Sequence, residues 1–299
     1  MMNQRKILIT GGTGKTGIRI AERLNQKGYP YAITMRNAGD MTDPETQVHF
    51  DWYDRSTFLP ALQHVERVYL VAPVGDAEPI KVMEPFMKLA LEQGVRRFVL
   101  LSSASIPEEG PVFGPVHRLL KELAPEWTVL RPSYFMQNFT EGPNGLTISQ
   151  QDLIISAAGQ GKIGFVSADD IAEVGFRALI DDIAHNTEHI ITGPDTLSYD
   201  DVSRIISEVT GRQVIHNSIS DDALVSSWVA AGLSRDYAEV MAGLDRKIRG
   251  RDGRSEHGYR VQGEWKGTCV LPGFCSTTCR RMETGAGDDK CRSIEDQQE

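Results

Sequence analysis

The chain has 299 residues, of which 40% are apolar and 24% charged, and it carries a formal net charge of −9 with a pI near 5.4. This acidic balance argues against a nucleic-acid partner or an anionic membrane surface, and no apolar run approaches the length of a membrane span. The first residues lead into a strand pattern without the apolar region of a signal peptide, so we expect a cytoplasmic protein.

Short β-branched runs alternate with helical stretches from the N-terminus to about Asp182. The predicted strands are Lys6–Thr10, Tyr31–Met35, Val48–Phe50, Val68–Ala72, Arg97–Leu101 and Thr128–Leu130. The predicted helices between them include Lys15–Lys27, Pro79–Gln93 and Val116–Ala124. This alternation predicts an α/β fold of the Rossmann type, a doubly wound parallel sheet covered by helices on both faces.

The pattern changes after Pro132. The segment Thr140–Gln151 is rich in Gly, Asn, Ser and Gln, which predicts a mobile loop. The later predicted elements are the helix Asp169–Leu179, the strand His189–Thr192, and the helices Val202–Thr210, Asp221–Ala231 and Arg235–Lys247. We therefore expect a Rossmann domain over residues 1–150. A smaller, mostly helical substrate-binding part over 151–248 is expected to contribute some elements to the Rossmann core.

From Arg249 onward the periodicity is lost, which predicts an irregular, disordered tail over residues 249–299. All the cysteines fall in this tail, at Cys269, Cys275, Cys279 and Cys291. Their spacing lacks the paired C-x-x-C of a zinc site, and the histidines lie elsewhere. We therefore expect reduced thiols and no metal site.

The first predicted strand runs into the sequence GGTGKTG, whose letters resemble two different phosphate-binding motifs. A nucleoside-triphosphate loop needs a glycine five positions before the Gly of Gly-Lys-Thr, and that position is Ile9 inside the strand. A dinucleotide turn fits better, because its glycines allow a tight turn, a close pyrophosphate and close helix–sheet packing. The predicted phosphate contacts are Gly11, Thr13, Gly14, Lys15, Thr16 and Gly17.

The end of the second predicted strand indicates the type of dinucleotide. An NAD site usually has Asp or Glu there to bind the ribose hydroxyls, but this chain has Arg36 and Asn37 and no acid before Asp40. Arg36 is placed to bind a 2′-phosphate, so the predicted cofactor is NADPH/NADP+. Asp51 and Trp52 end the third strand and are expected against the adenine, although Trp52 could equally be core packing.

Seven segments carry a family resemblance: ITGGTGKTG, TMRN, FDWYD, RFVLLSSAS, TVLRPSYFMQNF, GKIGFVSADDIAEVGFRAL and IITGPDTLSYDDVSRIISEVTGR. In this order they resemble the NmrA-like group of atypical short-chain dehydrogenases, closest to its fungal ergot-alkaloid branch of festuclavine synthases and agroclavine dehydrogenases. The resemblance covers roughly residues 5 to 248. It implies a Rossmann fold, NADPH use and reduction of a cyclic iminium ion in indole-alkaloid assembly, with a small alkaloid-type molecule as the substrate.

The resemblance also implies where the cofactor and substrate lie. It places Ala72, Pro73, Ser102 and Ser103 along the cofactor, and Pro132 to Asn138 on the nicotinamide side. Independently of the resemblance, ligands of such sheets bind in the crevice beyond the carboxyl ends of the strands. The predicted substrate contacts are Tyr134, Phe135, Asn138, Phe139 and Trp228, whose aromatic faces can hold a cation.

The sequence lacks the Tyr-x-x-x-Lys pair with which typical short-chain dehydrogenases protonate a carbonyl. The nearest imitation is His117-x-x-x-Lys121, one helical turn apart, which is more often a solvent-facing pair than a catalytic one. Tyr134 is a further candidate as a hydrogen-bond donor. A missing acid suits an iminium, because hydride transfer to a cation gives a neutral amine without an added proton.

Three alternatives stay open at this stage. A pocket that holds an iminium beside an indole would also promote cyclisation by carbon–carbon bond formation. NmrA-like proteins include non-catalytic redox sensors, which need the glycine turn but no substrate pocket. A quinone reductase would also need little proton-donating machinery. The aromatic segment and the predicted loop Thr140–Gln151 favour an enzyme, and the oligomeric state is not predicted.

Overall fold

A computed structural model describes residues 5–250, and seven parallel strands form its main sheet. The strands are β1 Lys6–Ile9, β2 Tyr31–Met35, β3 Gln47–His49, β4 Val65–Val71, β5 Arg97–Leu101, β6 Glu126–Pro132 and β10 Thr187–Ile191. They are arranged in the order β3-β2-β1-β4-β5-β6-β10 with parallel pairing throughout. The predicted Rossmann-type fold is therefore confirmed. The predicted tail and its four cysteines lie outside the described residues, apart from Arg249 and Gly250.

Helices cover both faces of this sheet. Within residues 5–250 the α-helices are α1 Gly17–Gln26, α2 Phe58–Ala61, α3 Ile80–Glu92, α4 Phe113–Leu123, α5 Gly142–Gln151, α6 Ala168–Ile180, α7 Tyr199–Thr210, α8 Asp221–Ala230 and α9 Arg235–Arg249. One core joins the sheet to α2, α3 and α4, and a second core joins the opposite face to α1 and α6. The strands are buried on both sides, which explains their nearly continuous apolar sequences. No helix among the described residues is long and apolar enough to cross a membrane.

The strand order reverses between β1 and β4, where the chain leaves β3 and crosses to the other side of β1. Ligands of open α/β sheets bind at such a switch point, beyond the carboxyl ends of the strands. The glycine turn follows β1, and the segment beginning at Ala72 follows β4, so both predicted cofactor segments meet at this point. The topology thus indicates that a ligand binds at the carboxyl ends of β1 and β4.

The part of the chain after β6 carries two small sheets, which the sequence analysis did not predict. The strands β7 Tyr134–Phe135, β9 Ile163–Val166 and β11 Thr196–Leu197 form one, and β8 Leu153–Ser156 with β12 Ile215–Ser218 forms the other. They surround a separate apolar core that includes Tyr199 and Ile248. Residues of both β7 and α9 pack in this core, so the two elements belong to one structural unit. The strand β7 directly follows β6, the preceding strand of the main sheet.

The predicted loop Thr140–Gln151 is wrong, because residues 142–151 form the helix α5. Its Gly, Asn and Ser residues have low helix propensity, but propensity is a weak constraint that tertiary packing overrides. Ile148 is buried in the apolar core around Phe165. The side chain of Asn144 also fixes the helix, since its amide donates to the Tyr134 hydroxyl at 3.4 Å and its carbonyl accepts from the Ile155 N–H at 3.3 Å.

Candidate active site

The turn after β1 brings the start of α1 into contact with the end of the strand. Gly11 has φ +63°, and the Gly14 N–H donates to the Gly11 carbonyl at 2.9 Å. A Cβ atom at Gly17 would lie only 2.4 Å from the Gly11 carbonyl oxygen, so no other residue fits at this position. The third glycine of the motif therefore permits the close helix–strand packing that a dinucleotide turn requires.

The amino end of α1 suits an anion. The N-cap residue Thr16 makes no side-chain cap there, because its hydroxyl accepts from the buried Tyr69 hydroxyl at 3.0 Å. The first turn of α1 contains no acidic residue. The positive end of the helix dipole thus faces the turn without a competing carboxylate from its own first turn. These features fit the pyrophosphate of a dinucleotide. They favour the dinucleotide turn over the nucleoside-triphosphate loop that the motif also resembles.

Lys15 connects this turn to the substrate side of the site. Its Nζ donates to Oδ1 of Asn138 at 3.1 Å and lies 3.9 Å from a carboxylate oxygen of Glu141. The sequence analysis placed Lys15 and Asn138 on different parts of the ligand, as a phosphate contact and a substrate contact. The structure brings these two side chains together, so the phosphate turn directly contacts the predicted substrate side of the site.

The residues after β2 and β3 lie at the predicted adenosine end of the site. Arg36 is exposed, with Asn37 beside it, and the Asp51 carboxylate accepts from the Tyr53 N–H at 2.9 Å. Trp52 is only 8% exposed and packs edge-on against Phe50 and Phe86, with ring centroids 4.8 and 5.2 Å away. The structure therefore places Trp52 in the core rather than on an open adenine surface.

Tyr53 is the exposed aromatic residue here, and the sequence analysis missed it. It is 64% exposed, and its hydroxyl donates to Oδ2 of Asp76 at 2.8 Å. Desolvation and this hydrogen bond raise the pKa of Tyr53 to about 12, and the nearby positive charge of Arg36 opposes the shift. Tyr53 is thus a neutral hydrogen-bonding aromatic group close to Arg36, the predicted 2′-phosphate contact. Its signal in the sequence is its place next to Trp52 at the end of a strand.

A cavity of about 210 Å³ lies beyond the carboxyl ends of β5 and β6. It is lined by Ser102, Ser103, Ile106, Val112, Phe113, Pro132, Ser133, Tyr134, Phe135, Asn138, Tyr237, Val240, Met241 and Leu244. A larger open hollow of about 680 Å³ lies at the amino ends of β1 and β4, around Arg5 and His64. We assign the ligand site to the smaller cavity, because ligands of such sheets bind at the carboxyl ends.

Seven of these lining residues fall within the predicted cofactor and substrate segments, whereas the wall formed by α9 was not predicted. Tyr237, Val240, Met241 and Leu244 follow the i, i+3, i+4, i+7 spacing of one helix face. The sequence shows this apolar stripe, but periodicity alone does not say which surface it faces. Within the described residues 5–250, the side chains that line the cavity include no Asp, Glu, Lys, Arg or His.

Hydrogen bonds from Arg131 hold the segment Ser102–Ser103 in place. Arg131 donates to the Ser103 carbonyl at 3.3 Å and to the Ala104 carbonyl at 3.0 Å, and it pairs with Glu188 at 2.8 Å. The backbone also contributes, since the Ser102 N–H donates to the Leu130 carbonyl at 2.7 Å. The two serine hydroxyls therefore sit on a rigid segment of the cavity wall. Ala72 and Pro73 begin the neighbouring segment after β4, with Ala72 buried in the sheet core.

Tyr134 joins the cavity wall to the second apolar core. Its ring lies edge-on to Phe165 and Tyr199, with centroids 5.4 and 5.7 Å away, and tilted to Phe139 at 5.9 Å. Burial raises the pKa of Tyr134 further above its ordinary value, at which the phenol is already neutral at physiological pH. Tyr134 can thus donate a hydrogen bond to a ligand, but it is a poor source of a full proton.

Four of the predicted catalytic and substrate-contact residues do not line this cavity. His117 is only 2% exposed, so the expectation of a solvent-facing pair is wrong for it. Burial lowers the pKa of His117, and its Nδ1 lies 4.0 Å from Glu188. Lys121 instead bonds to Glu108 at 2.6 Å on the surface. Phe139 is buried in the second apolar core, and Trp228 packs beside Ala157, Leu224 and Val225.

The sheet order, the glycine turn and the cavity at the carboxyl ends define a protein of the Rossmann class with the phosphate turn of a dinucleotide-binding domain. The model of the NmrA-like family matches residues 3–246, and the chain belongs to that family. Triphenylmethane reductase of Citrobacter sp. shares the fold, with a TM-score of 0.72 over 91% of this chain and 99% of that one, at 19% identity.

Curated relatives cover most of the chain. A Bacillus subtilis (strain 168) protein named uncharacterized oxidoreductase YesF is 50% identical over 83% of this chain and 86% of its own length. Festuclavine synthase II of Penicillium roqueforti is 38% identical (81% and 88% covered), and agroclavine dehydrogenase of Claviceps fusiformis is 39% identical (80% and 85% covered). The resemblance to the fungal clavine enzymes is confirmed, and the bacterial protein is more similar than either.

We expect Gly17→Ala to weaken NADPH binding by at least about tenfold, because the added methyl group would push α1 away from the Gly11 carbonyl. Titration of NADPH fluorescence measures the effect. Gly243→Ala is the matched control, since a Cβ there meets nothing within 4 Å and should leave binding unchanged. Equal affinity in Gly17→Ala and the unaltered protein would contradict a tightly packed phosphate turn.

Proposed function

We propose that this protein is an NADPH-dependent reductase of a cyclic iminium ion of the indole-alkaloid type. One observation carries the proposal: the cavity next to the dinucleotide turn is mostly apolar and aromatic with a few hydroxyl and amide groups, and among residues 5–250 its lining includes no charged acid or base. The names of the festuclavine and agroclavine enzymes support an alkaloid substrate class. The name of the bacterial relative supports only an oxidoreductase.

The described residues divide the work of holding NADPH. The turn Gly11–Gly17 would hold the pyrophosphate, and Lys15 would add a positive charge beside it. Arg36 would bind the 2′-phosphate, with Asn37, Asp51 and Tyr53 around the adenosine. Ala72 and Pro73 after β4, with Ser102, Ser103 and Pro132, would line the path to the cavity. The NADP(H) complex of triphenylmethane reductase supports this choice of cofactor through its shared fold.

The uncharged cavity suits an iminium better than a ketone. NADPH, when bound, supplies a hydride to the iminium carbon, and the C=N electron pair becomes the lone pair of a neutral amine. No proton has to be delivered, so Tyr134 needs only to orient the ligand, together with Asn138 and the serine hydroxyls. A ketone would instead become an alkoxide and would need an acid that this wall does not provide. Cyclisation of the same iminium remains a secondary activity within this proposal.

We expect an N-methyl dihydro-β-carbolinium ion to oxidise bound NADPH, with benzoquinone giving no comparable turnover. We further expect Tyr134→Phe to keep kcat within about threefold, since loss of a true general acid typically costs about a hundredfold or more. Loss of NADPH fluorescence measures the rate of NADPH oxidation with each substrate and in each variant. Tyr237→Phe, the other cavity tyrosine, is the control. Turnover of the quinone alone, or collapse of iminium turnover in Tyr134→Phe only, would contradict the proposal.

We expect Arg36→Asp to weaken NADPH binding by at least about tenfold more than NADH binding, because it replaces a 2′-phosphate partner with a like charge. Arg55→Asp makes the same change in charge at a nearby exposed position and should change both affinities alike. The dissociation constants come from fluorescence titration of each dinucleotide. Equal losses of NADPH and NADH affinity in Arg36→Asp would show that Arg36 does not bind the 2′-phosphate.

A further inference from the structure

A contact from the phosphate turn fixes the orientation of the Asn138 amide. The Lys15 Nζ donates to Oδ1 of Asn138 at 3.1 Å. An ammonium group has N–H donors and no acceptor, so only the amide oxygen of Asn138 can face it. The NH2 group of Asn138 is therefore turned away from Lys15. Asn138 is left to act as a hydrogen-bond donor toward any further partner.

The backbone that carries Asn138 is fixed by its neighbours. Asn138 lies in the short helical turn Met136–Phe139, in which Gln137 and Phe139 are buried. The Gln137 side chain accepts from the Ala168 N–H at 2.8 Å, which ties the turn to the start of α6. The Asn138 side chain thus starts from a packed backbone and is held at its oxygen by Lys15. A donor held in this way is preorganised for a ligand.

The Asn138 amide belongs to the cavity wall. Asn138 and Tyr134 both line the cavity, and Asn138 is half-buried. Burial raises the pKa of Tyr134, and the approach of the Asn138 amide to its hydroxyl opposes that shift. An amide NH2 group has a second N–H, so a donor remains for a ligand even when the first approaches Tyr134.

The hydroxyl groups of the wall divide into a donor and an acceptor. The Ser103 Oγ accepts from the Ser105 N–H at 3.3 Å, so its O–H remains available to a ligand. The Ser133 hydroxyl donates to the Gly164 carbonyl, so its hydrogen is already committed. Ser103 can therefore reinforce the Asn138 donor, whereas Ser133 can only accept from a ligand.

Lys247 places a second cation near the same wall. It belongs to α9 and donates to the Ser105 carbonyl at 2.7 Å, although it does not line the cavity. The charges of Lys15 and Lys247 favour the partial negative charge of an acceptor oxygen. The Glu141 carboxylate lies 3.9 Å from Lys15 and partly offsets its charge. Both the direction of the hydrogen bonds and the nearby cations thus favour an acceptor oxygen in the cavity.

We propose that Asn138 selects substrates that carry a carbonyl-type acceptor oxygen, and that Lys15 is the positioning residue that keeps the Asn138 NH2 group available to it. This oxygen is a feature of the substrate in addition to the reacting C=N bond. The inference rests on the proposed function for the identity of that bond, but the preference for an oxygen can be measured without turnover. The nicotinamide carboxamide carries the same kind of oxygen, so the test also includes the affinity for NADP+.

The test compares two neutral probes by calorimetry in the presence of saturating NADP+, which cannot reduce them. Tetrahydrocarbazole has no acceptor oxygen, and the ketone tetrahydrocarbazolone adds a carbonyl to the same ring system. We expect the unaltered protein to bind the ketone about tenfold more tightly, which is the effect of one well-placed hydrogen bond. The ratio of the two affinities cancels any change that affects both probes alike.

Three variants test the donor and its positioning. Asn138→Leu removes the donor without adding charge, and Asn138→Asp keeps an acceptor for Lys15 but replaces the NH2 group with an oxygen. Both should reduce the preference for the ketone to about twofold or less. Lys15→Gln can donate or accept, so it no longer forces the Asn138 orientation and should give an intermediate ratio. Asn25→Asp, the same change at an exposed position of α1, should leave the ratio unchanged.

The outcomes separate this inference from the proposed function. A preference for the ketone that persists in Asn138→Leu would overturn the role of Asn138 and leave the oxygen to Ser103 or to the nearby cations. Weaker NADP+ binding in Asn138→Leu with an unchanged ratio would assign the donor to the nicotinamide carboxamide, which also overturns the proposal. Selective loss of the ketone preference, without turnover of any iminium by the unaltered protein, would support the donor and count against the reductase.

Discussion

The structure depends on how closely the start of α1 approaches the end of β1. A side chain at Gly17 would collide with the Gly11 carbonyl, so the packing requires glycine there. This contact directs the amino end of α1 toward the turn, and the strand order then places the ends of β4, β5 and β6 along one path. The cavity lies at the end of that path, where Lys15 and Asn138 join the phosphate turn to the substrate wall. The steric requirement for glycine at position 17 thus helps to position both the phosphate turn and the cavity.

The cavity combines a mostly apolar wall with a few neutral hydrogen-bonding groups at its surface. Tyr134 is held by packing against Phe165 and Tyr199 and is a neutral phenol at physiological pH. The helix α9 supplies a further, mostly apolar part of the wall. A site of this kind favours a substrate that brings its own positive charge and needs orientation rather than protonation. That combination connects the missing acid to the proposed iminium chemistry.

Sequence patterns predicted the strands β1, β2 and β5 and the glycine turn, because strand periodicity and turn chemistry are local. The serines after β5 were expected from the family resemblance. Features set by tertiary packing were not predictable in this way. The helix α5 forms despite low propensity because Ile148 is buried, and His117 is buried although its neighbours suggested solvent. The α9 stripe was present in the sequence as a helix, but only the fold shows that it faces the cavity. Trp52 and Tyr53 are adjacent, and packing alone decides which of them is exposed.

The most direct test of the account follows the transferred hydrogen itself. The protein would be incubated with NADPH carrying deuterium at both hydrogens of the nicotinamide C4 and with an N-methyl dihydro-β-carbolinium ion. Mass spectrometry and NMR of the amine product then show the origin of the new C–H bond. The account predicts one deuterium on the former C=N carbon. An undeuterated amine, or bound NADPH with no amine formed, would contradict it.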